Sequence, residues 1–165
     1  MGIVVKRKYL DEGGAYMIEY RKLTKDDIDA FARMRIRQLR EEGATEDEDL
    51  LPALLDYYGR HLSDGTFVAY LAMDGERIVG TGAASVVEKP AWFSCPSGRI
   101  GLISSMYTDS SYRRQGIARQ ILTLVMEAAR EKGCGTMWIT ASDMGVPFYS
   151  GCGFVHNGNF MQCKL

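Results

Sequence analysis

The sequence predicts a single α+β domain in which a mostly antiparallel sheet is flanked by helices. At 165 residues, the chain can bury about two-thirds of its unfolded surface around one core. Two strand-like runs, residues 67–73 and 77–87, are joined by Asp74-Gly75, a hairpin signal that makes this part of the sheet antiparallel. A third run, residues 99–108, is also predicted to be a strand, and a long amphipathic helix follows it and ends at Gly133.

Two further amphipathic helices are predicted between a first strand, at residues 17–21, and the hairpin. The first helix follows Thr24, a residue type that caps helix N-termini, and its apolar spacing continues until Gly43. The second helix covers residues 51–62. The remaining predicted elements are a short strand at residues 136–140 and a short helix near residues 143–150.

The first sixteen residues precede the predicted first strand and have two interpretations. Met17 can be the biological start, in which case residues 1–16 are an artefact. Alternatively, residues 3–5 form a real strand that adds to a sheet edge or to a partner. The domain boundaries are therefore set at residues 1–16 for this extension and 17–165 for the domain.

Composition and charge argue against several classes of function. The 20 basic and 21 acidic residues give a net charge of −1, without the basic excess of a general nucleic-acid binder. No apolar run reaches the roughly 18 residues of a membrane-spanning helix. The four cysteines and two histidines have no zinc-site spacing. We expect a soluble, cytoplasmic protein with no nucleic-acid, membrane or metal partner.

Residues 113–118, with the sequence Arg-Arg-Gln-Gly-Ile-Ala, are the most informative stretch, because they join a predicted strand to the amphipathic helix. The first amides of a helix have no intrahelical partner, and the helix dipole makes this end positive, so a diphosphate can bind there. Gly116 has no side chain and can adopt a positive φ, and Ala118 has only a methyl group, so the backbone is open to close approach. Arginines at such a turn are also common as solvated surface charge, and the turn alone leaves that alternative open.

The pattern Arg-x-x-Gly-x-Ala at residues 113–118 resembles the pyrophosphate-binding signature Arg/Gln-x-x-Gly-x-Gly/Ala of the GNAT superfamily of N-acetyltransferases. Residues 149–154 resemble a second segment of that family, Tyr-x-x-x-Gly-Phe. With the order of elements, the resemblance covers residues 17–165. The chain has neither Gly-x-x-x-x-Gly-Lys-Ser/Thr nor Gly-x-Gly-x-x-Gly after an early strand, so nucleotide hydrolysis and dinucleotide binding are disfavoured.

The resemblance implies a mixed, twisted sheet that splays between its fourth and fifth strands, here residues 99–108 and 136–140. It implies that acetyl-CoA, the acyl donor, enters between them and makes sheet-like hydrogen bonds to a bulged fourth strand. Asp143 stands where many relatives have an asparagine that contacts the pantetheine arm or a water, and this departure weakens the transfer of that role. The resemblance assigns cofactor binding to Met106, Tyr107, Thr108, Arg113, Arg114, Gln115, Gly116, Ile117, Ala118 and Asp143.

The implied reaction is direct attack of an acceptor amine on the acetyl thioester, with much of the rate gain from proximity. An alkyl amine with a pKa near about 10.4 is mostly protonated at pH 7, so a proton must leave it, and the departing thiolate must gain one. Tyr149 matches the tyrosine that stands near the thioester sulfur in many relatives, and its alternative role is aromatic packing. The base is less evident: Glu88 and water held by Ser104 or Ser105 are candidates, and an amine of lower pKa needs none.

The leading hypothesis for the acceptor is a small amine, amino sugar, polyamine or drug-like molecule. A protein N-terminus or lysine is the alternative within the same chemistry, and a non-catalytic acyl-CoA-binding module is the alternative from another class. The arginines of the first helix either favour an acceptor with a carboxylate or phosphate or are simply solvated. Residues 89–98 form a loop expected near the acceptor entrance, where Trp92 and Phe93 either stack on substrate or pack the loop. A homodimer through an edge strand, or through a strand at residues 160–165, is a further expectation.

Overall fold

The computed structural model describes residues 4–11, 14–156, 158 and 161–163. The strands are β1 (Val5–Asp11), β2 (Gly14–Lys22), β3 (Phe67–Asp74), β4 (Arg77–Glu88), β5 (Arg99–Thr108) and β6 (Thr136–Trp138). The helices are α1 (Ile28–Glu41), α2 (Leu51–Ser63), α3 (Ile117–Glu131) and α4 (Val146–Ser150). Single 3-10 turns lie at Lys25–Asp27 and Ser110–Tyr112.

The six strands form one mixed sheet in the order β1-β2-β3-β4-β5-β6. Every neighbouring pair is antiparallel except β5 and β6, which are parallel. Their pairing runs only from Ile100 opposite Thr136 to Leu102 opposite Trp138, so the strands separate beyond that point. The predicted fold class is confirmed. One additional strand precedes the strand that was predicted as the first, so the strands predicted as fourth and fifth are β5 and β6.

That additional strand is β1, which lies within the N-terminal extension. It pairs with β2 along its whole length, from Val5 opposite Tyr20 onward. An ion pair of 3.1 Å joins Lys6 to Glu19, and the Tyr9 hydroxyl is hydrogen-bonded to the Tyr20 hydroxyl. β1 therefore forms one edge of the sheet, and of the strand predicted at residues 3–5 only its last two residues lie within the described part of the chain.

Helices cover both faces of the sheet because its central strands are apolar on both sides. α1 and α2 bury Phe31 and Tyr58 against one face, and α3 buries its apolar stripe, including Ile121, against the other. α3 comes so close to β4 that a Cβ on Gly82 would overlap the Ile121 side chain and the Met106 sulfur. β4 thus requires glycine at this position, and α3 is held tightly against the middle of the sheet.

Some predicted bounds differ from the observed ones. β6 ends at Trp138 because the chain then leaves β5, and α4 begins only at Val146, with Pro147 in its first turn. Thr24 caps the 3-10 turn that precedes α1. Of the strand predicted at residues 160–165, Met161–Cys163 are in no strand and the other positions lie outside the described residues.

No helix within the described residues is both long enough and apolar enough to cross a membrane. The same part of the chain has no group of three or more His, Cys, Asp or Glu side chains that could hold a metal ion.

Candidate functional site

β5 carries a bulge near the middle of the sheet. Ser105 and Met106 together stand opposite Gly82 of β4, so β5 has one residue more than its partner. Ser105 has a φ of 55°, in the left-handed region, and its carbonyl accepts a hydrogen bond of 2.8 Å from Thr81 Oγ1. The bulge that the family resemblance implied is therefore present, and it bends β5 where the strand leaves β6.

The separation of β5 from β6 leaves an open strand edge. Beyond Leu102, residues 103–108 have β4 on one side and, among the described residues, no strand on the other. This edge is about 20 Å long, and its free backbone groups can hydrogen-bond an extended ligand as a further strand would. The Tyr107 side chain is buried, and the Thr108 hydroxyl is buried without a hydrogen-bond partner among the described residues. The predicted cofactor positions on β5 thus line the cleft mainly through their backbone.

The turn that follows β5 forms an uncapped helix N-terminus. Gly116 is the N-cap residue of α3, with a φ of 83°, and Arg114 is also left-handed, with a φ of 65°. No side chain caps the helix, its first turn has no acidic residue, and a Cβ on Gly116 would have nothing within 4 Å. The Ile117 side chain is buried in the core, so only its backbone can face a ligand. The first amides of α3 are consequently open to an anion.

Asp109 fixes this turn to the rest of the protein. Its carboxylate accepts hydrogen bonds from Arg77 at 2.8 Å and from the Ser111 hydroxyl at 3.0 Å, and Arg37 of α1 lies 3.5 Å away. Burial alone would raise the pKa of Asp109, but the hydrogen bonds from Ser111 and Arg77 outweigh it, so the pKa is lowered. The turn is therefore held by a carboxylate that stays ionised at neutral pH.

Arg113 lies in this turn, but its side chain is bound within the protein. It forms an ion pair of 2.6 Å with Glu41 at the end of α1, and its Nε donates to the Thr108 carbonyl at 2.9 Å. Tyr107 also donates to Glu41, at 2.7 Å, and this hydrogen bond, with that of Arg113, lowers the pKa of Glu41. The arginine predicted to bind diphosphate thus joins α1 to the end of β5.

We expect Arg113→Ala to lower the free energy of unfolding by about 1 kcal/mol at pH 7, the upper range for an exposed ion pair. Because the pKa of Glu41 is lower in the folded state, its contribution is full above the unfolded pKa of about 4.3 and is lost as the pH falls below it. Urea unfolding at pH 7 and pH 3 measures this, with the exposed neighbour Arg114→Ala as control. Equal stability losses in a Glu41→Gln background would show that the pair is not coupled.

Tyr149 lies in α4 on the α3 side of the cleft. Its ring is buried between Phe148 and Phe154, with centroids at 4.9 and 5.6 Å, and its hydroxyl makes no hydrogen bond to a described residue. Burial raises the pKa of Tyr149, and the negative charge of Glu42 raises it further. Tyr149 thus packs as an aromatic and also remains a phenol that can donate a proton.

Glu42, at the end of α1, raises the pKa of Tyr149 through its negative charge. It follows the last residue of α1, and its carboxylate accepts a hydrogen bond of 2.9 Å from Gln38 of α1. The end of α1 therefore lies within electrostatic range of Tyr149 in α4. No local signal in the sequence identifies Glu42, since an exposed glutamate at a helix end is common and nothing near it in the sequence connects it to residue 149.

The other predicted polar residues have different positions. Glu88 forms an ion pair of 2.8 Å with Arg99 at the opposite end of β5 from the turn at residues 113–118, so it does not lie at the open edge. Ser104 is half-exposed on β5, whereas Ser105 is buried at the bulge. Asp143 is exposed in the turn before α4. The structure thus removes Glu88 as the base.

The loop at residues 89–98 packs mainly on β6. Trp92 lies 6.3 Å from Trp138, ring centroid to centroid, and Lys89 lies over the Trp138 ring at 4.9 Å. Phe93 is fully exposed. Trp92 therefore has the packing role, and a substrate contact for Phe93 stays a prediction.

A groove of about 580 Å³ lies beside α3, between this helix and β1. It opens next to Gln115 and Gly116, and Arg7 and Arg119 contribute positive charge to its lining. The groove adjoins the turn at residues 113–118 and is separate from the cleft between β5 and β6.

Known proteins are similar to this chain in sequence and in fold. The model of the acetyltransferase (GNAT) family matches residues 28–154. N-acetyltransferase 8B of Rattus norvegicus is 32% identical over 116 residues, 68% of this chain and 50% of the relative. Glucosamine 6-phosphate N-acetyltransferase of Trypanosoma brucei brucei is 32% identical over 89 residues, 54% of this chain and 58% of the relative. The chain thus spans about half the length of the curated relatives it matches.

Among solved structures, the fold is similar to that of a predicted acetyltransferase from Clostridium acetobutylicum, crystallised with acetyl-CoA. The TM-score is 0.87 at 29% sequence identity, and the match covers 90% of this chain and 96% of the other. A GCN5-related N-acetyltransferase from Ralstonia eutropha matches in fold with a TM-score of 0.78 and 24% identity, over 89% of this chain and 98% of the other.

Proposed function

This chain belongs to the acetyltransferase (GNAT) family, and from that premise we propose that it transfers the acetyl group of acetyl-CoA to a primary amine of a small molecule. The observation that carries the proposal is the open, bulged edge of β5 leading into the uncapped N-terminus of α3. The edge suits an extended arm, and the helix end suits a diphosphate. The open edge of β5 and the N-terminus of α3 are joined by one short turn, so a single donor molecule with an extended arm and a diphosphate can contact both.

In the proposed reaction, acetyl-CoA supplies the acetyl group as a thioester. The backbone of residues 103–108 and the first amides of α3 hold the donor and orient it. Glu42 accepts the proton that leaves the acceptor ammonium, directly or through one water, so that the amine nitrogen can bond to the carbonyl carbon. As the carbon–sulfur bond breaks, Tyr149 donates its proton to the sulfur. The nitrogen loses its second proton to solvent as the amide forms, and solvent returns a proton to Tyr149, while Glu42 releases the proton that it accepted.

A small-molecule acceptor is supported by the relatives named for glucosamine 6-phosphate. The test combines calorimetric titration of acetyl-CoA with a thiol-release assay on small amines and on peptides with free N-termini or lysines. Amine-dependent thiol release supports the proposal. Release with peptides alone would make the acceptor a protein, and tight binding without release for either panel would indicate a non-catalytic acyl-CoA-binding module.

We expect Glu42→Gln to lower kcat/KM at pH 7 roughly tenfold to a hundredfold, since the loss of a general base commonly costs at least a hundredfold but water can partly replace an exposed one. The deficit should shrink as the pH rises towards the amine pKa of about 10.4, because the free amine needs no base. The measurement is the pH dependence of thiol release. Glu48→Gln, an exposed acid between α1 and α2, is the control. A deficit that stays constant with pH would show that Glu42 does not remove the proton.

A further inference from the structure

The arginines of α1 differ in their partners. Arg33, Arg37 and Arg40 are each within ion-pair distance of a carboxylate, at 2.8, 3.5 and 2.7 Å. Arg35 has no carboxylate partner within the described part of the chain, although it is half-buried. Its Nη1 donates to the neutral Gln38 Oε1 at 3.0 Å. One guanidinium of this helix is thus held in place without a counter-ion.

Arg35 belongs to a row of hydrogen-bonded side chains along α1. Arg35, Gln38 and Glu42 follow at helical spacing and are joined by hydrogen bonds, so they form one row, and the charge of Glu42 acts on Tyr149. At the other end of the row, the charge of Arg35 acts on Tyr58. The Tyr58 hydroxyl is 3.4 Å from the Ser105 hydroxyl at the bulge of β5. The row is thus linked through Tyr58 to the bulge of β5, near which the proposed function has the acceptor meet the donor.

A half-buried guanidinium without a counter-ion is energetically unfavourable, and a ligand anion would relieve this cost. Guanidinium groups bind carboxylates and phosphates through two parallel hydrogen bonds, which fix both position and orientation. Gln38 is 7% exposed and holds Arg35 in a defined place before any ligand arrives. Arg35 and Glu42 are separated by about 10 Å along the helix, the span of a small bifunctional molecule.

We infer that the acceptor is a primary amine that also carries a carboxylate or phosphate group, and that Arg35 binds this anionic group while Glu42 faces the amine. The inference rests on the proposed function, because it concerns the acceptor of the same reaction. It favours amino acids and phosphorylated amino sugars over polyamines, which carry no anionic group.

Two matched pairs of amines test this inference. Lysine differs from cadaverine by a carboxylate, and glucosamine 6-phosphate differs from glucosamine by a phosphate, so the pairs also distinguish the two anions. With wild-type protein and acetyl-CoA, we expect kcat/KM for thiol release to be at least about tenfold higher for the anionic member of one pair. Arg35→Gln should abolish this preference mainly by raising KM, and Arg35→Lys should retain part of it. Arg33→Gln, which removes an exposed arginine paired with Asp29, should leave the preference unchanged.

A binding measurement separates this inference from the proposed function. Calorimetric titration of the same four amines into the protein saturated with CoA reports recognition without turnover. Selective binding of an anionic member that Arg35→Gln abolishes supports the inference even if no thiol is released, and the absence of release would then overturn the proposed function alone. Thiol release or binding with no preference for the anionic members, or an unchanged preference in Arg35→Gln, would overturn the inference. Absence of both release and binding for all four amines would overturn it as well.

Discussion

Replacing Gly116 with glutamate is expected to weaken acetyl-CoA binding by a hundredfold or more, about 3 kcal/mol or above. Gly116 is the N-cap residue of α3, and the space in front of it is open. A glutamate there would fill the space that a diphosphate needs and would place a like charge at the helix end that attracts anions. Calorimetric titration of acetyl-CoA measures the effect directly.

The control for this variant is Gly133→Glu at the opposite end of α3. Gly133 has a φ of 80°, close to the 83° of Gly116, so both substitutions impose a similar backbone strain of about 1–2 kcal/mol on the fold. A Cβ at Gly133 would be in ordinary contact with Arg99, at 3.6 Å. Thermal unfolding should therefore report comparable destabilisation for the two variants. Unchanged acetyl-CoA affinity in Gly116→Glu, or an equal loss in Gly133→Glu, would contradict a donor site at this turn.

Replacing Tyr149 with phenylalanine is expected to lower kcat about a hundredfold to a thousandfold while acetyl-CoA affinity stays within about twofold. The variant removes the proton donor for the departing thiolate and keeps the ring that packs between Phe148 and Phe154. Because burial and the charge of Glu42 raise the Tyr149 pKa, the wild-type phenol remains protonated beyond its usual value of 10.0. Wild-type activity should thus show no alkaline loss from Tyr149 below about pH 10.

Folding stability distinguishes a catalytic effect from a structural one here. The Tyr149 hydroxyl has no hydrogen bond within the described residues, so its removal should change the free energy of unfolding by less than about 0.5 kcal/mol. Tyr70→Phe, a buried tyrosine on β3 beneath α3, is a matched control that should leave kcat unchanged. Wild-type kcat in Tyr149→Phe, with normal stability, would leave aromatic packing as the role of this residue.

The elements that the sequence predicts well are those with local signals. Asp74-Gly75 marks the β3–β4 hairpin, and the apolar spacing after Gly116 marks the start of α3 at Ile117. Both depend on residues close in sequence, so their bounds agree with the structure. The turn at residues 113–118 is of this kind, because the anion binding proposed for it depends on backbone geometry at a helix start.

Residues whose structural partners are distant in sequence are harder to predict. Nothing near Arg113 in the sequence signals its bond to Glu41, 72 positions earlier, and its binding of diphosphate stays a prediction. Glu42 gains its proposed role only when the end of α1 comes within electrostatic range of Tyr149 in α4. The place of β1 in the sheet also depends on a partner, because a short polar strand has a weak sequence signal and is fixed by its pairing with β2.

The short parallel pairing of β5 with β6 has a consequence for the local stability of the protein. Within the described residues, strand pairing of β6 with β5 is limited to Ile100–Thr136 through Leu102–Trp138, whereas β4 and β5 are paired along almost their full length. β6 and α4 should therefore open as a cooperative unit well below the global unfolding free energy. Tyr149 belongs to that unit, so a ligand that bridges β5 and α4 would slow amide exchange there while leaving the β3–β4 hairpin unchanged.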